Sequence, residues 1–161
     1  MKKTVRLYNV LFPIWMLVFF PSPLWIALIP ANYLIDRFVL KRTLPKTINR
    51  AAFCKKNAWK ICVAGFVSDL IGALILFLIV LLLEDNYELA NGITMDPFKD
   101  LLSFLIVLMA VVVSAVFIFI IDRLILIRCG LSRKQATRSA AFLAVFTAPY
   151  LYLFPSKFLY R

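Results

Sequence analysis

The chain contains no histidine and has few acidic residues, cysteines and glycines. Its 161 residues include no His, eight Asp or Glu, three Cys and four Gly. Histidine is the side chain that most often acts as general base, proton shuttle or metal ligand near neutral pH, so its absence argues against sites of these kinds. Cys54, Cys62 and Cys129 show no metal-binding spacing, and the first two fall on one face of a helix, which is typical of packing thiols. We therefore predict no metal site and no cofactor.

The common signatures of catalysis are also missing from the sequence. No nucleophile and base occur at a spacing that pairs them, and there is no glycine-rich phosphate-binding loop. The net charge of +11 does not come from a separate basic arm, because the basic residues flank apolar stretches. This distribution favours attraction to anionic lipid headgroups over binding of nucleic acid. We predict a protein that is not an enzyme and whose partner is a lipid bilayer with anionic headgroups.

Long apolar stretches dominate what is present. Hydrophobic residues make up 63% of the chain, and its mean hydropathy is +0.91. The stretch 61–83 has Asp69 as its one charge, and as a helix it would reach about 34 Å, enough to cross a hydrocarbon core of about 30 Å. Only a helix can satisfy the backbone of such a segment in lipid. The sequence predicts an all-α integral membrane protein forming a single polytopic domain over 1–161.

Five membrane helices are predicted, and the first two form a helical hairpin linked by the Pro-Ser-Pro sequence at 21–23. A single first span, and a cleaved signal peptide, are the alternatives for this region. The two prolines disfavour one continuous helix, and the apolar run is too long and lacks a cleavage site for a signal peptide. The predicted helices cover 7–20, 24–40, 59–83, 98–121 and 139–155. The alternative for the last segment is that it enters and leaves the membrane on the cytoplasmic side.

The charges of the connecting segments predict the orientation. Segments 37–60 and 122–138 are basic, and we expect each to contain an amphipathic stretch along the cytoplasmic surface. With the N-terminus also inside, the cytoplasmic side collects 16 of the 19 Lys and Arg residues, while loop 84–100 holds five of the eight acids. The positive-inside rule then places the N-terminus in the cytoplasm. We predict a multi-pass protein of the cell membrane, of bacterial type.

Two short stretches resemble each other and predict a parallel internal repeat. Five of eight positions are identical between Ile35–Arg42 and Ile121–Arg128, and an Ala-Ala-Phe sequence follows each, at 51–53 and at 140–142. Helix, surface segment and helix would then recur about an axis normal to the membrane. The alternative is a chance similarity between helix ends rich in Ile and Leu.

Asp69 is the first candidate functional residue. It lies nine residues beyond Lys60, about 14 Å along a helix, and therefore near the middle of the membrane. A charge there is costly and is usually functional, so we predict a substrate or ion pathway. A structural hydrogen bond between helices is the alternative. The pathway residues predicted with it are Asn32, Ser68, Ser114 and Thr147.

The acidic residues at the helix ends have a different predicted role. Asp36 and Asp122 precede Arg37 and Arg123, and neighbouring residues on a helix do not face each other. We therefore expect structural ion pairs in which each Asp meets a basic residue of the other repeat. The tryptophans and tyrosines, Tyr152 among them, are predicted to anchor helices at the membrane interface or to pack.

The predicted function is the binding or transport of a small solute or ion, by a homo-oligomer or together with a partner membrane protein. The polar mid-membrane residues favour this role. The alternative is an accessory, assembly or immunity-type subunit without catalytic activity that docks on a larger membrane complex. The small size of the chain suits both roles.

Overall fold

The computed structural model describes residues 14–19, 25–83 and 85–160, and this part of the chain is helical without a β-strand. The α-helices are α1 (Trp25–Thr43), α2 (Arg50–Leu82), α3 (Tyr87–Met95), α4 (Leu101–Arg128) and α5 (Arg133–Thr147). Short 3-10 segments lie at Ile14–Val18, Pro97–Lys99, Tyr150–Leu153 and Ser156–Tyr160. Most of the predicted helix 7–20 and the Pro-Ser-Pro turn lie outside the described residues.

Helices α2 and α4 are long and apolar enough to cross a membrane. They contain 33 and 28 residues, which gives lengths of about 50 and 42 Å. Their most apolar windows have mean hydropathies of 2.6 and 3.3, and 28% of each window is buried within the protein. The core helix of a water-soluble protein would bury most of such a window. The exposed apolar faces of α2 and α4 thus match helices whose solvent is lipid.

Two predicted boundaries are wrong because the helices continue through the basic segments. The segment before residue 61 is not a separate surface helix: α2 begins at Arg50, where the Asn49 side chain accepts the Ala52 amide at 3.1 Å. Helix α4 likewise continues past 121 to Arg128. No proline or glycine interrupts either stretch, so the helical hydrogen bonds simply continue into the charged residues.

The turn between α4 and α5 is closed by main-chain hydrogen bonds. The Leu131 amide donates to the Leu126 carbonyl at 3.1 Å, and the Gly130 amide donates to the Ile127 carbonyl at 3.0 Å. This is a Schellman motif, and it requires the left-handed backbone that Gly130 adopts with φ 95°. Ser132 then starts α5 through a capping box with Gln135. The predicted amphipathic surface segment over 122–138 is therefore replaced by a helix end, a tight turn and a helix start.

Helix α3 was not predicted, because it lies in the acidic loop that joins the two long helices. Its N-terminus is capped by Asn86, which accepts the Leu89 amide at 3.2 Å. A Cβ at Gly92 would lie 2.1 Å from the Ser103 hydroxyl oxygen, so only glycine lets α3 rest this closely on α4. At the start of α4, the Ser103 amide and hydroxyl both donate to Asp100, which keeps the pKa of that carboxyl below its usual range.

The four longer helices form a ring in the order α1, α2, α4, α5. Helices α1 and α4 each contact both α2 and α5. One hydrophobic cluster joins the C-terminal ends of α1 and α4 to the N-terminal ends of α2 and α5, including Leu40, Cys54, Leu126 and Ala136. Neighbours in the ring therefore run antiparallel. The buried Cys54 and Cys62 confirm the predicted packing thiols.

The two ends of the ring differ in charge. We call the end formed by this cluster the basic end, because it carries the eight Lys and Arg residues of 37–60 and the five of 122–138. The opposite end, which we call the far end, carries Asp85, Glu88, Asp96 and Asp100. At the far end, Lys157 forms an ion pair with Asp96. The last segment of the chain therefore runs from the basic end to the far end.

Candidate functional site

Three carboxyl groups are buried inside the ring, one from each of three helices. Asp36 on α1, Asp69 on α2 and Asp122 on α4 are 4%, 8% and 1% exposed. Each belongs to the inward stripe of its helix: Asp36 precedes the buried Leu40 by one turn, and Asp122 precedes the buried Leu126 by one turn. The same periodicity that buries the apolar side chains thus carries these acids into the interior.

The three groups are arranged as a series. Asp36 interacts electrostatically with both Asp69 and Asp122. Asp36 and Asp122 each lie six residues before the last arginine of their helix, about 9 Å along its axis, and Asp69 lies about 14 Å beyond Lys60. By this reckoning Asp36 and Asp122 lie at a similar distance from the basic end, and Asp69 lies deeper in the ring.

The predicted ion pairs of these acids are not found among the residues that the structure describes. Among the described residues, neither Asp36 nor Asp122 lies in a salt bridge, and both oxygens of Asp122 are buried without a hydrogen-bond partner. Arg37 is exposed, and the Arg123 Nε donates to the Thr137 hydroxyl at 3.0 Å. Adjacent positions point about 100° apart on a helix, and long basic side chains extend to water. Each arginine therefore points away from the buried carboxyl that precedes it.

Asp36 and Asp69 have different surroundings. The Asp36 carboxyl faces the Cys62 thiol of α2. One oxygen of Asp69, Oδ1, is buried without a hydrogen-bond partner in the described part of the chain. The predicted structural alternative, in which Asp69 joins two helices through a side-chain hydrogen bond, thus receives no support from this oxygen.

The other predicted pathway residues are not all gathered around Asp69. The Ser68 hydroxyl donates to the Ala64 carbonyl and the Thr147 hydroxyl to the Leu143 carbonyl, both at 2.8 Å and both within their own helices. Asn32 is partly exposed on α1. Ser114 is fully buried, and its oxygen has no hydrogen-bond partner among the described residues. Ser114 is thus the predicted companion whose hydroxyl is free in the interior.

Ser114 lies at a close contact between α2 and α4. A Cβ at Gly72 would lie 2.0 Å from the Ser114 hydroxyl oxygen and 3.1 Å from the Ala110 carbonyl oxygen. Small residues at such a crossing let two helix backbones approach closely. Gly65 lies seven residues, about two helical turns, before Gly72, and no atom lies within 4 Å of its Cβ site. Of these two glycines, only Gly72 is therefore needed for the close approach of the helices.

Two polar residues of this interior were not predicted as part of the site. Tyr152, in the 3-10 segment after α5, is buried, and its hydroxyl donates to the backbone carbonyl of Asp69 at 2.6 Å. Tyr152 therefore packs in the interior, which is one of the two roles predicted for the aromatic residues. Ser139 on α5 is fully buried, and its oxygen has no partner in the described ranges. Ser139 lies on the apolar face of α5, so the helical period could have predicted its burial. No spacing in the sequence indicates the contact between Tyr152 and Asp69.

The described acids are not grouped as the ligands of a metal ion. Within the described residues, no three His, Cys, Asp or Glu side chains come together as metal ligands. A charged carboxylate near the middle of a membrane costs at least about 2.5–3.5 kcal/mol, and such groups commonly face a partner group or water. No family model, curated protein or solved structure matches this chain. The interpretation of the site therefore depends on these residues themselves.

Proposed function

We propose that this chain is a multi-pass membrane protein that moves protons through the interior of its helix ring. Asp36, Asp69 and Asp122 would accept and release the proton in turn. The observation that carries the proposal is the series of three buried carboxyls without a basic partner in the described residues. A static structural role would favour acids whose oxygens are all satisfied, because an unmet buried acceptor costs stability.

A proton is the ion that this chemistry fits. Transfer along a row of acids needs groups in series, whereas a bound metal ion needs several oxygens converging on one point. The three carboxyls come from different helices and lie at two depths in the ring. This spread is compatible with transfer from one acid to the next and not with convergence on one bound ion. Ser114 and Ser139, which are buried in the same ring, add hydroxyls that can both donate and accept a hydrogen bond.

The proposed placement in the membrane follows from the charge of the two ends. The basic end would face the cytoplasm, with α1, α2, α4 and the last segment each crossing the bilayer. The ion pair between Lys157 and Asp96 supports a last segment that crosses and does not return to the basic end. The Trp15 indole donates to the Ile93 carbonyl at 3.3 Å. This contact supports a placement of Trp15 at the far end, shortly before the Pro-Ser-Pro sequence at 21–23.

We also propose that the two helix pairs, α1–α2 and α4–α5, are repeats. The contacts of the two pairs correspond: α1 packs on α2 as α4 packs on α5, and α1 contacts α5 as α4 contacts α2. Within the matched stretches, Asp36 and Asp122 are both buried, and so are Leu40 and Leu126. The Ala-Ala-Phe sequences do not belong to this correspondence. One starts two residues after the cap of α2 and the other eight residues after the cap of α5.

Cysteine labelling tests the orientation. In a variant without the native cysteines, Lys55→Cys and Arg133→Cys are expected to stay unlabelled by a membrane-impermeant maleimide on intact cells, because both positions lie at the basic end. Asn86→Cys, at the far end, is expected to label. Permeabilised cells, in which all three positions should label, are the control. Labelling of the Lys55 or Arg133 position on intact cells would reverse or abolish the proposed placement.

Proton uptake into liposomes tests the function. The purified protein is reconstituted with a pH-sensitive dye inside, and a potassium gradient with valinomycin makes the lumen negative. We expect the lumen to acidify faster than in protein-free liposomes, and the triple variant Asp36→Asn, Asp69→Asn, Asp122→Asn to remove the difference. The control variant, Asp85→Asn with Glu88→Gln, changes exposed acids and should behave like wild type. Wild-type uptake at the protein-free level would overturn the proposal and favour the accessory-subunit role.

A further inference from the structure

Two notches open at the basic end, each between the C-terminal end of one helix and the N-terminal end of another. The first has a volume of about 450 Å³ and lies between α2 and α4. Its basic lining residues are Lys56, Lys60 and Arg128, and no acidic residue lines it. The Lys60 ammonium donates to the Asn57 Oδ1 at 3.3 Å, which orients it along the wall of the notch. The first notch is thus an open cavity whose charged lining residues are all basic.

The second notch has a volume of about 360 Å³ and lies between α1 and α5. Arg42 and Arg138 line it together with the aromatic rings of Phe38, Phe142 and Phe146, again without an acidic residue. The Arg42 guanidinium carbon lies 4.9 Å from the centre of the Phe38 ring, a cation–π contact that holds the arginine at the mouth. This notch combines two cations with an apolar wall.

The two notches occupy equivalent positions in the two helix pairs. Arg42 and Arg128 are the last residues of the matched stretches, each six residues after a buried Asp. Buried residues recur with the same spacing in the partner helices, at Cys54, Asn57, Ala58, Ile61 and Cys62 in α2 and at Ala136, Ser139, Ala140, Leu143 and Ala144 in α5. In this register Lys56 of α2 corresponds to Arg138 of α5. Each notch therefore pairs one arginine from a helix end with one basic residue from a helix start.

The location of the notches indicates what they bind. Lys60 is the last charged residue before the apolar part of α2, and Arg128 is the last residue of α4, seven residues beyond the uncharged stretch 101–121. These cations would therefore lie on the headgroup side of the hydrocarbon. Volumes of about 360 and 450 Å³ lie in the range of small-molecule sites. Cations beside an apolar wall complement a molecule that carries an anionic group on a hydrocarbon chain.

We propose that the two notches are equivalent binding sites for the headgroup phosphate of an anionic phospholipid. Arg128 with Lys56, and Arg42 with Arg138, contact the phosphate, with the arginines offering a planar set of donors that matches its oxygens. In the second notch the start of an acyl chain lies along Phe142 and Phe146. The proposal rests on the placement of the basic end at a membrane surface and does not require proton movement.

Native mass spectrometry of the detergent-solubilised protein, titrated with palmitoyl-oleoyl phosphatidylglycerol, tests the proposal. Two lipids are expected to bind per chain. The pair variant Lys56→Gln, Arg128→Gln should weaken one site roughly 30-fold, and Arg42→Gln, Arg138→Gln should weaken the other by a similar factor, because each basic residue near the surface contributes about a factor of five. Circular dichroism confirms that the variants keep their helices.

The matched control is Lys55→Gln with Arg133→Gln, two exposed cations at the same end that line neither notch. This variant removes the same charge and should keep both sites. Equal losses of lipid affinity in the control and the pair variants would show that the lipid responds to the overall positive charge and not to two sites. Unchanged lipid binding in the pair variants would exclude the notches as sites. Displacement of the lipid by excess inorganic phosphate would instead assign the notches to the free ion, and it would overturn the lipid proposal.

Discussion

Replacing Asp69 by Asn is expected to reduce potential-driven proton uptake to the level of protein-free liposomes. Asn has nearly the same size as Asp and keeps a donor and an acceptor, but it cannot bind and release a proton near neutral pH. Asp69 is the member of the series nearest mid-membrane, so no other described carboxyl replaces it at that depth. The same liposome assay measures the effect.

The fold should withstand this change. The Asp69 backbone carbonyl still accepts the Tyr152 hydroxyl, and the amide occupies the space of the carboxyl. We expect the thermal unfolding midpoint in detergent to stay close to that of wild type. Asp85→Asn, at an exposed position of the far end, serves as the control for uptake. Wild-type uptake in the Asp69→Asn variant would mean that ionisation of Asp69 is not used.

Replacing Asp122 by Leu is expected to stabilise the protein by about 1 to 3 kcal/mol while it lowers proton uptake. Leu keeps the branched Cγ and replaces two buried oxygens, neither of which has a partner among the described residues, with methyl groups. Exchanging unpaired buried polar groups for apolar ones of similar shape commonly raises stability. Thermal or denaturant unfolding in detergent, followed by circular dichroism, measures the change.

The size of the side chain limits this gain, since Leu is larger than Asp and the site is 1% exposed. Asp122→Asn, which keeps the volume and the polar group, separates the two effects and should show little stabilisation. Asp85→Leu changes an exposed acid and should leave the unfolding free energy nearly unchanged. A clear loss of stability in Asp122→Leu, with Asp122→Asn like wild type, would indicate that the carboxyl holds the helices together.

Hydropathy and helix period were sufficient to predict the helical class of the chain and its two longest apolar helices. The predicted helix 24–40 corresponds closely to α1, because Pro23 precedes it and Pro45 follows it. The burial of Asp69 also followed from its position within an apolar stretch. These predictions depend on hydropathy and on the positions of prolines, both of which can be read from the sequence alone.

The ends of the helices and the roles of Asp36 and Asp122 depend on tertiary structure. A change from apolar to basic residues marks the boundary of the membrane, but it does not end a helix, so α2 and α4 extend beyond it. Likewise, an Asp beside an Arg resembles a surface pair in sequence. Only the packing of four helix ends around Leu40 and Leu126 shows that the acid faces inward and the arginine outward.

The two connections at the basic end are unequal, and this gives the proposed repeats different mechanical properties. Six residues, Leu44 to Asn49, join α1 to α2, whereas four residues, Cys129 to Ser132, join α4 to α5. Both connections contain main-chain hydrogen bonds, but the shorter one leaves its two helices less freedom. We therefore expect the angle between α1 and α2 to change more readily than the angle between α4 and α5. The proposed repeats would then differ in stiffness, although they share one arrangement of helices.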